Sequence, residues 1–253
     1  MVVLQITDTH LLRTPDSKML GVNTERSLKA VLEHAASVKP DVVIASGDIA
    51  QYPAFEVYQR FKQLLADAFE CQLLCIPGNH DLDQPMLRAG LVTRSTNIGK
   101  WSILGIDTHF DDEVGGFFCE QRLLDLKRQL CEESAANILV FGHHSPVDMD
   151  CVWLDRHRIN NGASLLDLLQ EDTRVRSYVF GHVHQEAEFF EGLPLLSSPS
   201  TCFQFARREE NFTISSELPG YRVLRLQADG QIQSKVFRLL DYELSLDLSQ
   251  LQS

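Results

Sequence analysis

Three short apolar runs early in the chain, each of the first two followed by a helical pattern, restrict the possible fold most. VVLQI (2–6) precedes Leu28, Val31, Leu32, Ala35 and Ala36, which fall at helical spacing behind the polar start Asn23-Thr24. DVVIAS (41–46) precedes a second helical face of Phe55, Tyr58, Phe61, Leu65 and Phe69, and QLLCI (72–76) is the third run. Strand then helix, repeated, calls for parallel strands joined by crossovers.

The second half reads differently. WSILGID (101–107), NILVFG (137–142) and RSYVFG (176–181) are further strands, with short helices over Leu123–Leu130 and Leu165–Leu169 between them. From about residue 185 onward only strand patterns follow, and ADG (228–230) marks a hairpin turn. These features predict α/β units first and an antiparallel sheet last. Two sheets face to face with helices outside satisfy both. No repeat, linker or domain boundary is evident, so residues 1–253 are expected to form one domain.

Composition narrows the class. The 253 residues carry a formal net charge of −12. That argues against nucleic acid or an anionic membrane as partner, since both select basic patches. No apolar run has the roughly 18 residues a membrane span needs, and the opening MVVLQITDTH does not read as a signal peptide. The six cysteines form no Cys-x-x-Cys pair. They are expected to be reduced, mostly buried thiols in a cytoplasmic protein.

The chemistry gathers where the strands stop. The first run ends in TDTH (Asp8, His10), the second in SGD (Asp48), and the third in PGNHD (Asn79, His80, Asp81). ILVFGHH ends in His143 and His144, and SYVFGHVH ends in His182 and His184. Carboxyl ends of parallel strands form the rim where ligands bind. Asp8 and His10 are two apart, as are His182 and His184, so on extended chain each pair faces one side. Carboxylate and imidazole suit Mn²⁺, iron or Zn²⁺ better than Ca²⁺. There are too many such groups for one ion, but they fit two ions sharing a carboxylate, spaced about 3.5–4 Å as in sites that activate water for phosphoryl displacement. Two divalent ions and two aspartates would leave local positive charge, an anion trap within an acidic protein. His34, His109 and His157 lie outside the pattern and read as surface or core residues. Arg207-Arg208 reads as a solvated turn.

In this order, Asp-x-His (8, 10), Gly-Asp (47–48), Gly-Asn-His-Asp (78–81), His-His (143–144) and Gly-His-x-His (181–184) resemble the calcineurin-like metallophosphoesterase superfamily. LGVNT, CVWLD, GHVHQE, SPSTCFQF, NFT and PGYR extend the resemblance along nearly the whole chain, to the bacterial class III 3′,5′-cyclic-AMP phosphodiesterases. That resemblance implies a four-layer α/β/β/α sandwich with two mixed sheets. It implies one ion on Asp8, His10, Asp48 and His184, and another on Asp48, Asn79, His143 and His182. Asp48 would bridge, and the ions would be iron or manganese. Asn79, His80, His10 and His184 would line the substrate, with His80 protonating the leaving oxygen. The match favours His143 over His144 as ligand; neighbours on extended chain point opposite ways, which leaves His144, like Asp81, a supporting role.

The expected reaction is hydrolysis of cyclic AMP to 5′-AMP by a hydroxide bridging two ions. Two other readings remain open: a broad phosphodiesterase or phosphomonoesterase for small organic phosphates, and a metalloprotein that binds cyclic AMP without cleaving it. The sequence leaves the oligomeric state undetermined.

Overall fold

Period-two alternation along the strands sorts their side chains into separate layers. The computed structural model describes residues 1–110 and 113–251. In chain order its elements are β1 (Val2–Ile6), α1 (Thr24–Ala35), β2 (Val42–Ser46), α2 (Phe55–Ala68), β3 (Gln72–Ile76), α3 (Asp83–Ala89) and β4 (Ser95–Ile98). Then come β5 (Trp101–Gly105), α4 (Glu120–Glu132), β6 (Asn137–Phe141), α5 (Val152–Asp155), α6 (Gly162–Glu171) and β7 (Val175–Phe180). The remainder is β8 (Ala187–Phe190), β9 (Pro194–Ser197), β10 (Gln204–Phe205), β11 (Ile214–Ser215), β12 (Gly220–Leu226) and β13 (Ile232–Arg238), with a 3₁₀ turn at Leu248–Leu251. The polar start at Asn23 caps α1, its side chain accepting from Arg26 N at 2.7 Å.

One sheet has the order β13-β12-β1-β2-β3 and the other β4-β5-β6-β7-β9-β8. β1, β2 and β3 run parallel, as do β5, β6, β7 and β9. Three apolar layers separate four structural ones. Leu4, Ile6, Val43 and Ala45 pack against Leu28, Val31, Tyr58 and Phe61 of α1 and α2. Their strand neighbours Val3, Val42 and Ile44 face Trp101, Ile103, Leu139 and Phe141 of the other sheet. On the far side, Ile138, Val140 and Tyr178 pack against Leu126, Leu130, Leu165 and Leu169 of α4 and α6. The result is the expected α/β/β/α sandwich. No helix of the described residues is long and apolar enough to cross a membrane.

The C-terminal strands depart from the sequence expectation. They do not form one antiparallel sheet: β10 and β11 pair as a separate two-stranded ribbon, and the others join the two large sheets. The β12–β13 hairpin, turning through Gly230 at φ 94°, adds antiparallel to β1. β9 joins β7 in parallel, with β8 antiparallel outside it. An open edge presents unpaired N–H and C=O groups, and each hairpin satisfies one.

Towards the strands' carboxyl ends the interface between the sheets turns polar. Gln5 Nε2 donates to Ser46 Oγ at 2.9 Å and to the Phe180 carbonyl at 3.1 Å, while Ser198 Oγ donates to Gln5 Oε1 at 2.5 Å. Arg222 of β12 is fully buried in the same interface. It donates to the Ser197 carbonyl from Nη2 at 2.6 Å and to Glu188 Oε1 from Nη1 at 2.8 Å, tying one sheet to β8 and β9 of the other. Replacing Arg222 by Ala removes several charge-assisted hydrogen bonds and leaves the Ser197 carbonyl without them. Unfolding stability should fall by about 3 kcal/mol, read as a lower denaturant midpoint at unchanged slope.

Candidate metal centre

The polar residues at five strand ends meet at one rim. Asp8 and His10 follow β1, Asp48 follows β2, Asn79 to Asp81 follow β3, His143 and His144 follow β6, and His182 and His184 follow β7. Among the described residues, four overlapping groups have ligand atoms within 4.8 Å of one another: Asp8–His10–His184, His10–Asp48–His80, Asp8–Asp48–His143 and His143–His144–His182. Both sheets contribute, so the cluster exists only because the sandwich is assembled.

The local backbone is not the extended chain anticipated from the spacing of two. Asp8, His10, Asp48, His182 and His184 all sit in the left-handed region, at φ 53°, 43°, 50°, 64° and 46°. Non-glycine residues reach this region at a cost, and such residues concentrate where function demands a particular aim. Each pair converges because the chain coils after the strand, not because a strand alternates. The turns are held by cross-links such as Asp8 N to the Gly47 carbonyl at 3.1 Å and His10 N to the Asp48 carbonyl at 3.0 Å. Gly78 and Gly181 are needed by close approach: a β-carbon at Gly78 would overlap Asp48 Oδ1 and N, and one at Gly181 would overlap Thr7 Oγ1.

Hydrogen bonding fixes the imidazole tautomers. His184 Nδ1 lies 2.8 Å from the Phe203 carbonyl and His10 Nδ1 lies 2.8 Å from Gln51 Oε1, so each ring donates from Nδ1. Their Nε2 atoms then face each other at 3.1 Å, and that of His184 also lies 3.4 Å from Asp8 Oδ1. Burial pushes the His10 imidazole down to about 3, which keeps that ring neutral. Two ring nitrogens this close need a cation, a proton or a metal ion, between them. His182 Nε2 is buried with no hydrogen-bond partner among the described residues. Asp8 and Asp48 are buried carboxylates within the same cluster. Convergent imidazole nitrogens and carboxylate oxygens are what divalent transition ions bind, displacing any protons they carry, so the residues present fit such a group.

Asp48 lies between the two imidazole sets. Its Oδ2 is 3.7 Å from His10 Nε2 and 3.5 Å from His143 Nε2, and its Oδ1 accepts from His80 N at 2.9 Å. Burial would raise its carboxyl, but His143 and His80 outweigh that and hold it well below the usual carboxylate range. Burial alone would lower His143; the facing Asp48 overrides it and raises the imidazole to about 9. Asp8 is likewise held low against its burial, chiefly by His184. Asn79 Oδ1 stands 3.2 Å from His143 Nε2 and 3.1 Å from His182 Nδ1. His80, half-buried, puts its ring 5.1 Å from that of His10.

The adjacent histidines differ in what their nitrogens do. His143 Nδ1 donates to the Ser46 carbonyl at 2.8 Å, leaving Nε2 towards Asp48 and Asn79. His144 spends both nitrogens on the protein: Nε2 donates to the Val114 carbonyl at 3.1 Å and Nδ1 accepts from Thr108 Oγ1 at 2.8 Å. Their rings are nevertheless 4.7 Å apart, closer than opposite-pointing neighbours on extended chain would be. Asp81 is buried beneath the site and accepts from Gly78 N, Ile49 N, Ala50 N and Tyr58 Oη at 2.9–3.1 Å. It clamps the loop after β2 to the loop after β3. Burial and the charge of Asp48 push its carboxyl up to about 6.

Sequence reasoning left some neighbours out. The STCFQF segment backs the site: the Phe205 ring stacks on His184 at 4.1 Å and that of Phe203 on His10 at 5.8 Å. His157, set aside as structural, places its ring 6.4 Å from that of His182. No spacing signal marks it, because it arrives from the turn after α5 and not from a strand end. His34 packs on Tyr221 away from the centre, Arg208 pairs with Asp150 in solvent, and His109 is buried. All six cysteines are free; three are buried and Cys131 is exposed.

Known proteins with this arrangement are numerous. A family model described as calcineurin-like phosphoesterase matches residues 1–186. The chain is 34% identical, over 98% of its length and 93% of the relative's, to the 3′,5′-cyclic adenosine monophosphate phosphodiesterase CpdA of Pseudomonas aeruginosa. It is 36% identical to the protein of the same name from Escherichia coli K12, over 97% of this chain and 92% of that one. Among solved structures, a dimetal phosphatase from Danio rerio superposes with a TM-score of 0.62 at 12% identity, covering 94% of this chain and 98% of that one. A Mycoplasma pneumoniae phosphatase gives 0.56 at 10% identity, covering all of this chain and 96% of that one. These two likenesses establish the fold alone.

Asp81→Ala should strand three backbone N–H groups and the Tyr58 hydroxyl in the interior. The expected loss is about 3 kcal/mol or more, measured by chemical denaturation, with Asp81→Asn losing less because it keeps one acceptor oxygen.

Proposed function

The chain belongs to the calcineurin-like phosphoesterase family, and from that premise we propose that it hydrolyses 3′,5′-cyclic AMP to 5′-AMP at the rim between its two sheets. The observation that carries the chemistry is the pair of facing Nε2 atoms on His10 and His184 beside two buried carboxylates. The substrate follows from the names of relatives that align over nearly the whole chain.

Asp8, His10, Asp48 and His184 would hold one divalent ion, and Asp48, Asn79, His143 and His182 the other, with Asp48 shared. The mixed carboxylate and imidazole donors favour Fe²⁺ or Mn²⁺. When bound, such ions supply Lewis-acid stabilisation of phosphoryl charge and a water acidic enough to serve as nucleophile.

The protein's own groups do the rest. Carbonyl contacts to Nδ1 of His143 and His184 fix those rings, so their Nε2 donors need no reorientation. Asn79 offers a neutral oxygen, which adds a donor without adding negative charge to a site that receives a phosphate anion. His80 is tethered through its backbone N–H to Asp48 while its half-buried ring makes no other hydrogen bond among the described side chains. That ring would contact the phosphate and give a proton to the departing 3′ oxygen. Stacking of Phe203 and Phe205 on His10 and His184 dries the inner wall of the site.

Protein stripped of metal should cleave no cyclic AMP, and Mn²⁺ or Fe²⁺ should restore cleavage to 5′-AMP; failure under every metal condition overturns the reading. A panel of cyclic AMP, cyclic GMP, 2′,3′-cyclic AMP and a bis-aryl phosphate should rank cyclic AMP first in kcat/KM. His80→Ala should keep the metal content of the wild type while kcat falls by about 10²–10⁴. Loss of metal in that variant would instead make His80 a ligand.

A further inference from the structure

Beside the centre lies a cavity of about 470 Å³ with a different chemistry from the rim. Its lining includes Phe110, Phe117, Arg156, His157 and Asn160, with the Glu113 carboxylate and Val114 also on its wall. The Phe110 and Phe117 rings meet edge to face at 5.5 Å and 78°. Two links join this cavity to the metal centre. The Val114 carbonyl accepts from His144 Nε2 at 3.1 Å, and the His157 ring lies 6.4 Å from His182 at 75°. Trp153 stands edge-on to the same His157 ring at 6.1 Å, holding it from the outer side.

We propose that this cavity receives the nucleobase of the substrate, with Phe110 and His157 as the groups that contact its ring. The inference rests on the cyclic-nucleotide reading above and deepens it. A cyclic nucleotide presents two unlike ends, a phosphate anion and a flat heteroaromatic ring. The cluster of carboxylates and imidazoles suits only the first. The cavity supplies aromatic and apolar surface for the faces of a base, and the Arg156 guanidinium and Asn160 amide for its polar edge. Its size falls within the range of pockets that take small ligands, about 300–1,000 Å³. Arg156 and Asn160 are exposed, so polar groups on a base could reach them from the open side.

The test separates the base from the phosphate. Binding of 5′-AMP and of ribose 5-phosphate to the Mn²⁺-loaded protein is measured by titration calorimetry for the wild type, Phe110→Ala and His157→Ala. Phe110 is 45% exposed, so its variant is expected to fold. The wild type should bind 5′-AMP more tightly than ribose 5-phosphate, by on the order of tenfold or more. Each variant should narrow that gap, leave ribose 5-phosphate binding in place, and raise KM for cyclic AMP more than it lowers kcat. A wild type that binds the two ligands equally overturns the proposal, as do variants that keep the gap or weaken both ligands alike. If the wild type shows the gap and the variants lose it, but no cyclic AMP is cleaved, the subsite stands and the catalytic reading falls. If cyclic AMP is cleaved without any gap, the subsite falls and the catalytic reading stands.

Discussion

The arrangement depends on like groups being forced together. His10 and His184 donate from Nδ1 to protein oxygens, so their Nε2 atoms point at each other across 3.1 Å. Asp8 and Asp48 sit buried beside them. In a low-dielectric interior such an array is unfavourable unless cationic charge compensates it. The elevation of His143 to about 9 beside Asp48 reports the same demand: the carboxylate draws positive charge from whatever group can carry it. The proposed pair of ions answers that demand, and the Lewis acidity they bring is what phosphodiester cleavage requires.

Holding this array takes backbone strain at five of the clustered residues, each at positive φ. Strain of this kind persists where the surroundings over-determine it. Here the surroundings are two sheets clamped by Arg222 and Gln5, and two loops clamped by Asp81. Asp81 thereby fixes where the loops after β2 and β3, which carry Asp48, Asn79 and His80, leave their strands. The three polar neighbours after β3 divide their work: Asn79 faces His143 and His182, His80 faces outward beside His10, and Asp81 turns down into the fold.

Much of the fold was legible because strand burial is periodic. QLLCI became β3 at the expected bounds, and the runs at 2–6 and 137–142 became β1 and β6 to within a residue. The order of site residues was legible too, since parallel strands deliver their ends to one rim. Geometry within the site was not. A spacing of two suggested extended chain, whereas Asp8, His10, His182 and His184 occupy left-handed turns that pairwise hydrogen bonds impose only after the sheets form. The destinations of the last hairpins depended on which sheet edges stood open. His157 and the stacked Phe203 and Phe205 reach the centre through tertiary packing from loops and a short helix, with no local pattern to mark them.

The central claim is that Asp48 joins two ion positions into one centre. Counting metal per chain in Mn²⁺-reconstituted protein tests it most directly, with Asp48→Asn measured alongside the wild type. The account predicts two equivalents in the wild type and one or none in the variant, because both positions lose a shared carboxylate. A wild type that takes up a single ion, or a variant that retains two, would contradict it.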